Sequence, residues 1–245
     1  MRITNWLWRS AGLARRNHPG RYTLLLFTIL LLLVSQPFFV AHSDFQMLAT
    51  LLMIFVLLAA LYTLNLGKVF FVIGLTIMAV AALSRLILQF THSRSFEVIT
   101  AVSSSLFLMI TVFAVVSRLF TVKRVTLDTI SAAICAYLLM ALAWGFGFAL
   151  VEIEHPGSFS VKLLTAAAPG ASTVIETLHN FIYYSFVCLT TTGYGDIAPI
   201  SDGARIMSVL ESVTGQLYLT ILVARLVSIE VAQSMMEGRV SSRDE

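Results

Sequence analysis

The run "LTTTGYGDIAP" occupies Leu189 to Pro199, directly after the aromatic, apolar stretch "NFIYYSFVC" of Asn180 to Cys188. Three threonines, two glycines, a tyrosine and an aspartate in unbroken order make neither a spanning helix nor a spanning strand. Non-helical backbone at membrane depth survives only where it is buried in protein or lines a water-filled path. The meaning of the run therefore depends on whether the surrounding chain is embedded in a bilayer.

Composition says that it is. Of 245 residues, 58% are hydrophobic and only 12% charged, with a mean hydropathy of +0.89. A soluble domain is usually about one quarter charged, so this chain has too few charges to cover a water-facing surface. Six stretches approach the ~20 apolar residues that cross a bilayer as helix: Tyr22–Ala41, Gln46–Leu64, Val69–Leu88, Val98–Ser117, Thr129–Val151 and Ile206–Ala224. The first five hold no Asp, Glu, Lys or Arg other than Arg85, and the sixth holds Glu211. The first run is too long for a signal-peptide core and no small-x-small cleavage site follows it, so it reads as a retained span.

Cys135 and Cys188 lack metal-type spacing and read as buried small side chains. His18, His42, His92, His155 and His179 are isolated, which leaves a membrane enzyme without clustered catalytic or metal-binding groups. The net charge of +3 is small and spread along the chain, which gives nucleic acid binding no support.

The positive-inside rule sets the expected orientation. With the N-terminus in the cytoplasm, twelve Lys and Arg fall inside: Arg2, Arg9, Arg15, Arg16, Arg21, Lys68, Arg118, Lys123, Arg124, Arg225, Arg239 and Arg243. Only Arg85, Arg94, Lys162 and Arg205 remain outside. The loop carrying "TTTGYGD" then begins and ends on the outer side. Asp44, Glu97, Glu152, Glu154, Glu176, Asp196 and Asp202 share that side, either as a cation-concentrating mouth or as ordinary solvated charge.

The expected fold is an all-α membrane protein of six transmembrane helices. A re-entrant pore helix and filter loop lie between spans five and six. Asn180 would cap the short helix, residues 180–190, whose negative C-terminal end would point into the membrane. The chain would return outward through Thr191, Thr192, Gly193, Tyr194 and Gly195. Backbone carbonyls can replace a cation's hydration shell without the fixed charge of a carboxylate. Glycine at alternate positions permits the conformations that aim them to one side. Thr191 can add its hydroxyl at the inner end. Tyr194 would pack against Tyr183 and Tyr184 as filter support, with Asp196 at the outer lip.

Thr190 to Asp196, "TTTGYGD", resembles the selectivity filter of potassium channels, related to the TVGYG loop. "YYSFVCLTTTGYGDIAPIS" followed by "ARIMSVLESVTGQLYLTILVARLVS" looks like the pore helix, filter and inner helix of bacterial six-span channels. The resemblance implies a potassium channel in which Thr191, Thr192, Gly193 and Tyr194 bind K+, with no other cofactor. It also implies a homotetramer around one axis, in contact with membrane lipid in the cell (inner) membrane. Thr192 stands where the family more often has Val, Ile or Leu. Val187 stands where it often has a pore-helix Glu. A less selective monovalent cation channel of the same architecture is the alternative reading.

Glu211, an acid inside an apolar span, is a functional candidate or a structural clamp. Gly215 is either a hinge or a packing glycine, and Gln216, Leu219 and Val223 can line an inner cavity at helical spacing. The family's voltage-sensing members carry repeated charges in span four; this one has none, so strong voltage gating is not expected. The expected organisation is a basic cytoplasmic segment over 1–21 and a peripheral four-span domain over 22–126. A pore domain covers 127–235, with an outer helix at 127–151, the filter at 191–196 and an inner helix at 204–235. A short tail covers 236–245. With 21 residues after Ala224, no appended ligand-binding module is expected.

Overall fold

A computed structural model describes residues 21–41, 46–63, 68–88, 91, 93–122, 124–161 and 174–241. The basic segment before Arg21, Lys162 and the residues after Ser241 lie outside the described residues. Among the described residues, seven helices and two short strands follow in chain order. They are α1 (Arg21–Ala41), α2 (Gln46–Thr63), α3 (Lys68–Leu88), α4 (Arg94–Leu119), α5 (Leu127–Glu154), β1 (Phe159–Val161), α6 (Val174–Leu189), β2 (Ile197–Pro199) and α7 (Asp202–Ser241).

Among the described residues, four helical stretches are long and apolar enough to cross a membrane: Phe71–Leu88, Arg94–Leu119, Leu127–Glu154 and Asp202–Met235. The described parts of α1 and α2, Tyr22–Ser35 and Met47–Thr63, are shorter apolar helices.

Helix α5 is the centre of the fold because it is apolar all round, the pattern of a helix buried on every side. It packs against α4, α6, α1 and α7. Thr126 starts it by accepting the Thr129 N–H at 3.2 Å, and Asp128 places negative charge in the first turn. Phe107 of α4, Leu139, Leu142, Phe146 and Phe148 of α5, and Phe181 and Leu189 of α6 form the contiguous core. Gly145 permits the α5–α6 approach: a Cβ there would lie 2.9 Å from the Ile182 Cα.

The short helix starts at Val174, not Asn180. Asn180 is therefore mid-helix and caps nothing. Buried Leu178, Phe181, Ile182 and Ser185 keep one helical face running across it, while polar Glu176, Thr177, His179 and Asn180 give the sequence a loop-like look. Helix α7 starts at Asp202, where the Ser201 hydroxyl accepts the Ala204 N–H at 3.3 Å. It runs on through the expected tail to Ser241. Its 40 residues span about 60 Å, twice the ~30 Å of a bilayer's hydrocarbon core.

A two-stranded antiparallel element completes the fold. Phe159 pairs with Pro199, Ser160 with Ala198 and Val161 with Ile197. The expected all-α fold omits it because three-residue strands so far apart in the chain leave no periodic signal.

Candidate functional site

Helix α6 ends in a Schellman motif. The Thr192 N–H bonds the Val187 carbonyl at 2.9 Å and the Thr191 N–H bonds the Cys188 carbonyl at 2.9 Å. This motif needs a left-handed residue between helix and loop, usually glycine. Here it is Thr191, at φ +57°. Gly193 and Gly195 follow at φ +59° and +75°, while Thr192 and Tyr194 have no positive φ. Left-handed backbone thus falls on every second residue. Alternating hand is the backbone pattern that allows successive carbonyls to be turned to one side. A Cβ at Gly193 or Gly195 would meet nothing within 4 Å in the chain, so conformation rather than crowding calls for glycine there.

The end of α6 is held by side chains from two other helices. The Phe186 carbonyl accepts the Thr190 N–H at 3.1 Å and the Thr190 hydroxyl at 2.7 Å. Ser212 of α7 donates to the Cys188 carbonyl at 3.2 Å, and Tyr137 of α5 donates to the Leu189 carbonyl at 3.1 Å. The carbonyls of Phe186, Val187, Cys188 and Leu189 therefore all have partners. The Thr190 hydrogen is committed to Phe186, so the Thr192 hydroxyl, 2.8 Å away, donates to Thr190 Oγ1. Thr192 is tied back toward α6.

Glu211 is fully buried. The Ser185 hydroxyl of α6 is within hydrogen-bonding reach of its Oε1 and lies 2.6 Å from the Ala141 carbonyl of α5, so three helices meet at this serine. Glu211 Oε2 is buried with no partner among the described residues. Gly215 is a close-approach glycine: a Cβ there would sit 2.6 Å from the Leu189 carbonyl oxygen. This contact accounts for the glycine by packing. Gly215→Ala should lower stability by roughly 1–2 kcal/mol through overpacking, read as a lower midpoint in thermal unfolding of the purified protein in detergent. An unchanged midpoint would mean that α6 and α7 part freely at this point.

Tyr183 and Tyr184 take different partners from those expected. Tyr183 donates to Asp196 Oδ2 at 2.7 Å, which braces the outer end of the loop. Tyr184 is buried, lies within 5.0 Å of the Phe148 ring and 5.4 Å of the Phe159 ring, and bonds the Ser208 hydroxyl at 2.7 Å. Tyr194 is 70% exposed in the single chain. The expected Tyr194 packing on these two tyrosines is not made within one chain, because the core of α5 and β1 has taken Tyr184 and Asp196 has taken Tyr183.

Gln216 Nε2 donates to the Thr191 hydroxyl at 3.1 Å. Leu219 and Val223 are exposed on the same helix. Sequence reasoning missed Tyr137, Ser185, Ser212 and Glu152. Glu152 reads as a solvated acid, yet its two oxygens accept the Gly157 N–H at 2.7 Å and the Phe159 N–H at 3.1 Å. It thereby sets up β1, whose partner β2 begins right after Asp196. The neighbouring Ser158 carbonyl accepts the Ile200 and Ser201 N–H groups at 2.8 and 3.2 Å.

No curated protein matches the chain. Residues 134–231, which hold most of α5 and α7 together with all of α6 and the 190–196 loop, match a family described as an ion channel.

Proposed function

We propose that the protein is a potassium-selective channel. It conducts K+ passively through a tetrameric pore, each chain supplying one strand of Thr191, Thr192, Gly193, Tyr194 and Gly195. The observation that carries this reading is the left-handed backbone at Thr191, Gly193 and Gly195, directly beyond a short helix whose Phe186, Val187, Cys188 and Leu189 carbonyls are all partnered. One chain presents these five residues exposed. A ring of carbonyls around an ion needs several copies, and four is the number the potassium-channel resemblance implies. In this arrangement α6 is the re-entrant pore helix, α7 the inner helix, and α1 to α4 a peripheral scaffold, for six spans in the cell membrane with both termini cytoplasmic.

Tying Thr192 back to Thr190 supports potassium selectivity over the less selective alternative. The extra hydroxyl is engaged away from the strand's carbonyls, so it leaves the ligand set unchanged. Helix α4 carries no Lys or Arg between Arg94 and Arg118. A charge crossing the whole field yields only ~2.3 kcal/mol per 100 mV, and without such charges voltage has little to act on.

Flux from purified protein in liposomes under opposed potassium and sodium gradients tests the reading. The expected result is a reversal potential close to that of potassium and an open probability nearly independent of voltage. Equal permeability to the two ions would replace the potassium channel with a general cation channel, and absence of flux would remove conduction altogether.

A further inference from the structure

Gly215 packs directly on the Leu189 carbonyl, and this brings the next residue of α7 within reach of the loop that leaves α6. Among the described residues, Gln216 Nε2 is the partner of the Thr191 hydroxyl, at 3.1 Å. Thr191 is also the one non-glycine described residue with positive φ. A β-branched residue in that region is strained and persists only where its surroundings over-determine it. The Schellman bonds fix its backbone and Gln216 fixes its side chain.

The hydroxyl's direction matters for a cation. A free threonine hydroxyl rotates, offering either a lone pair or its hydrogen. Only the lone pair attracts a positive ion. An amide N–H occupying one lone pair holds the rotamer and leaves the other pair available.

Resting on the channel reading above, we propose that Gln216 is a positioning residue for the innermost ion site. Its side-chain amide orients the Thr191 hydroxyl as a ligand at the inner end of the conduction path. Gln216 does not itself take the place of the ion's ligands. It acts through Thr191, so its loss should alter that one site rather than conduction as a whole.

Barium, a divalent cation close to potassium in size, probes the site when applied from the cytoplasmic side to the full chain reconstituted in bilayers. Gln216→Met keeps the length and volume of the side chain and removes the donor. Gln216→Asn keeps an amide that is one methylene too short to reach. Both should weaken barium block by about tenfold, the effect of a hydrogen bond near the upper end of the usual range, and retain potassium over sodium selectivity. The double variant Gln216→Met/Thr191→Ala should block no more weakly than Thr191→Ala alone, because the amide then has no hydroxyl to orient.

Unchanged block in Gln216→Met, or effects that simply add in the double variant, would overturn the proposal while leaving the channel reading intact. Failure of both single variants to assemble, seen by size-exclusion chromatography, would make Gln216 a folding residue and also overturn it. A wild-type protein without potassium flux would overturn the channel reading and this inference with it.

Discussion

Replacing Gly193 or Gly195 with alanine should abolish potassium flux while the purified protein keeps its helical content. Both glycines lie in left-handed backbone, at φ +59° and +75°, and a Cβ at either meets no atom of the chain within 4 Å. Size is therefore not the obstacle. An L-residue in this region is disfavoured by roughly 1–2 kcal/mol, and a tetramer would carry that strain four times around one axis. The least strained response is for the 193 or 195 peptide to rotate to negative φ, which turns its carbonyl away from its neighbours. Gly203→Ala is the matched control, since its Cβ also meets nothing within 4 Å while its φ lies outside the left-handed range. Liposome flux normal in Gly203→Ala and absent in the other two is the expected pattern. Full flux from Gly193→Ala would mean that the alternation of hand is not what conduction requires.

The largest expected effect on stability is at Glu211. Glu211→Ala should destabilise the protein by about 3 kcal/mol, because it opens a cavity at a fully buried position and removes one of the two hydrogen-bond partners of the Ser185 hydroxyl. That hydroxyl sits where α5, α6 and α7 meet, and α6 leads straight into the Thr191–Gly195 strand. The loss should therefore appear both in the unfolding midpoint and in fewer conducting molecules. Glu211→Gln keeps the shape and one acceptor oxygen, and should stay within about 1 kcal/mol of wild type. Equal losses in the two variants would show that the Ser185 contact contributes nothing and that the carboxyl charge itself matters. Full conduction in Glu211→Gln would identify the side chain as a clamp between helices rather than part of a gating device.

Much of this site is legible from residues 189–199 alone. Alternate glycines in a polar run between apolar stretches point to unusual backbone, and the left-handed region falls on Gly193 and Gly195. Thr191 is less legible, because β-branched residues normally avoid positive φ. Only the Schellman geometry at the end of α6 puts one there. The start of α6 was obscured for a related reason: Glu176, Thr177, His179 and Asn180 are polar, yet they occupy a helix whose apolar face continues through Leu178.

The readings of Gly215 and Thr192 illustrate a different limit. A mid-helix glycine is compatible with a hinge or with close packing, and nothing in its neighbours along the chain separates the two. The 2.6 Å approach to the Leu189 carbonyl supplies a packing reason for the glycine. Likewise an extra hydroxyl at position 192 has no assigned direction until the Thr190 hydrogen is seen to be spent on Phe186.

The membrane class and the place of the glycine-bearing run between two apolar helices were determined by sequence alone. Both depend on local composition and on order along the chain, which translation preserves. The partners of the Cys188 and Leu189 carbonyls, the burial of Glu211 against Ser185 and the capping of β1 by Glu152 were decided by tertiary structure. Hydrogen bonds act over about 3 Å, whereas Tyr137 and Leu189 are 52 residues apart in the chain. Only the packing of α5, α6 and α7 brings such groups within that range.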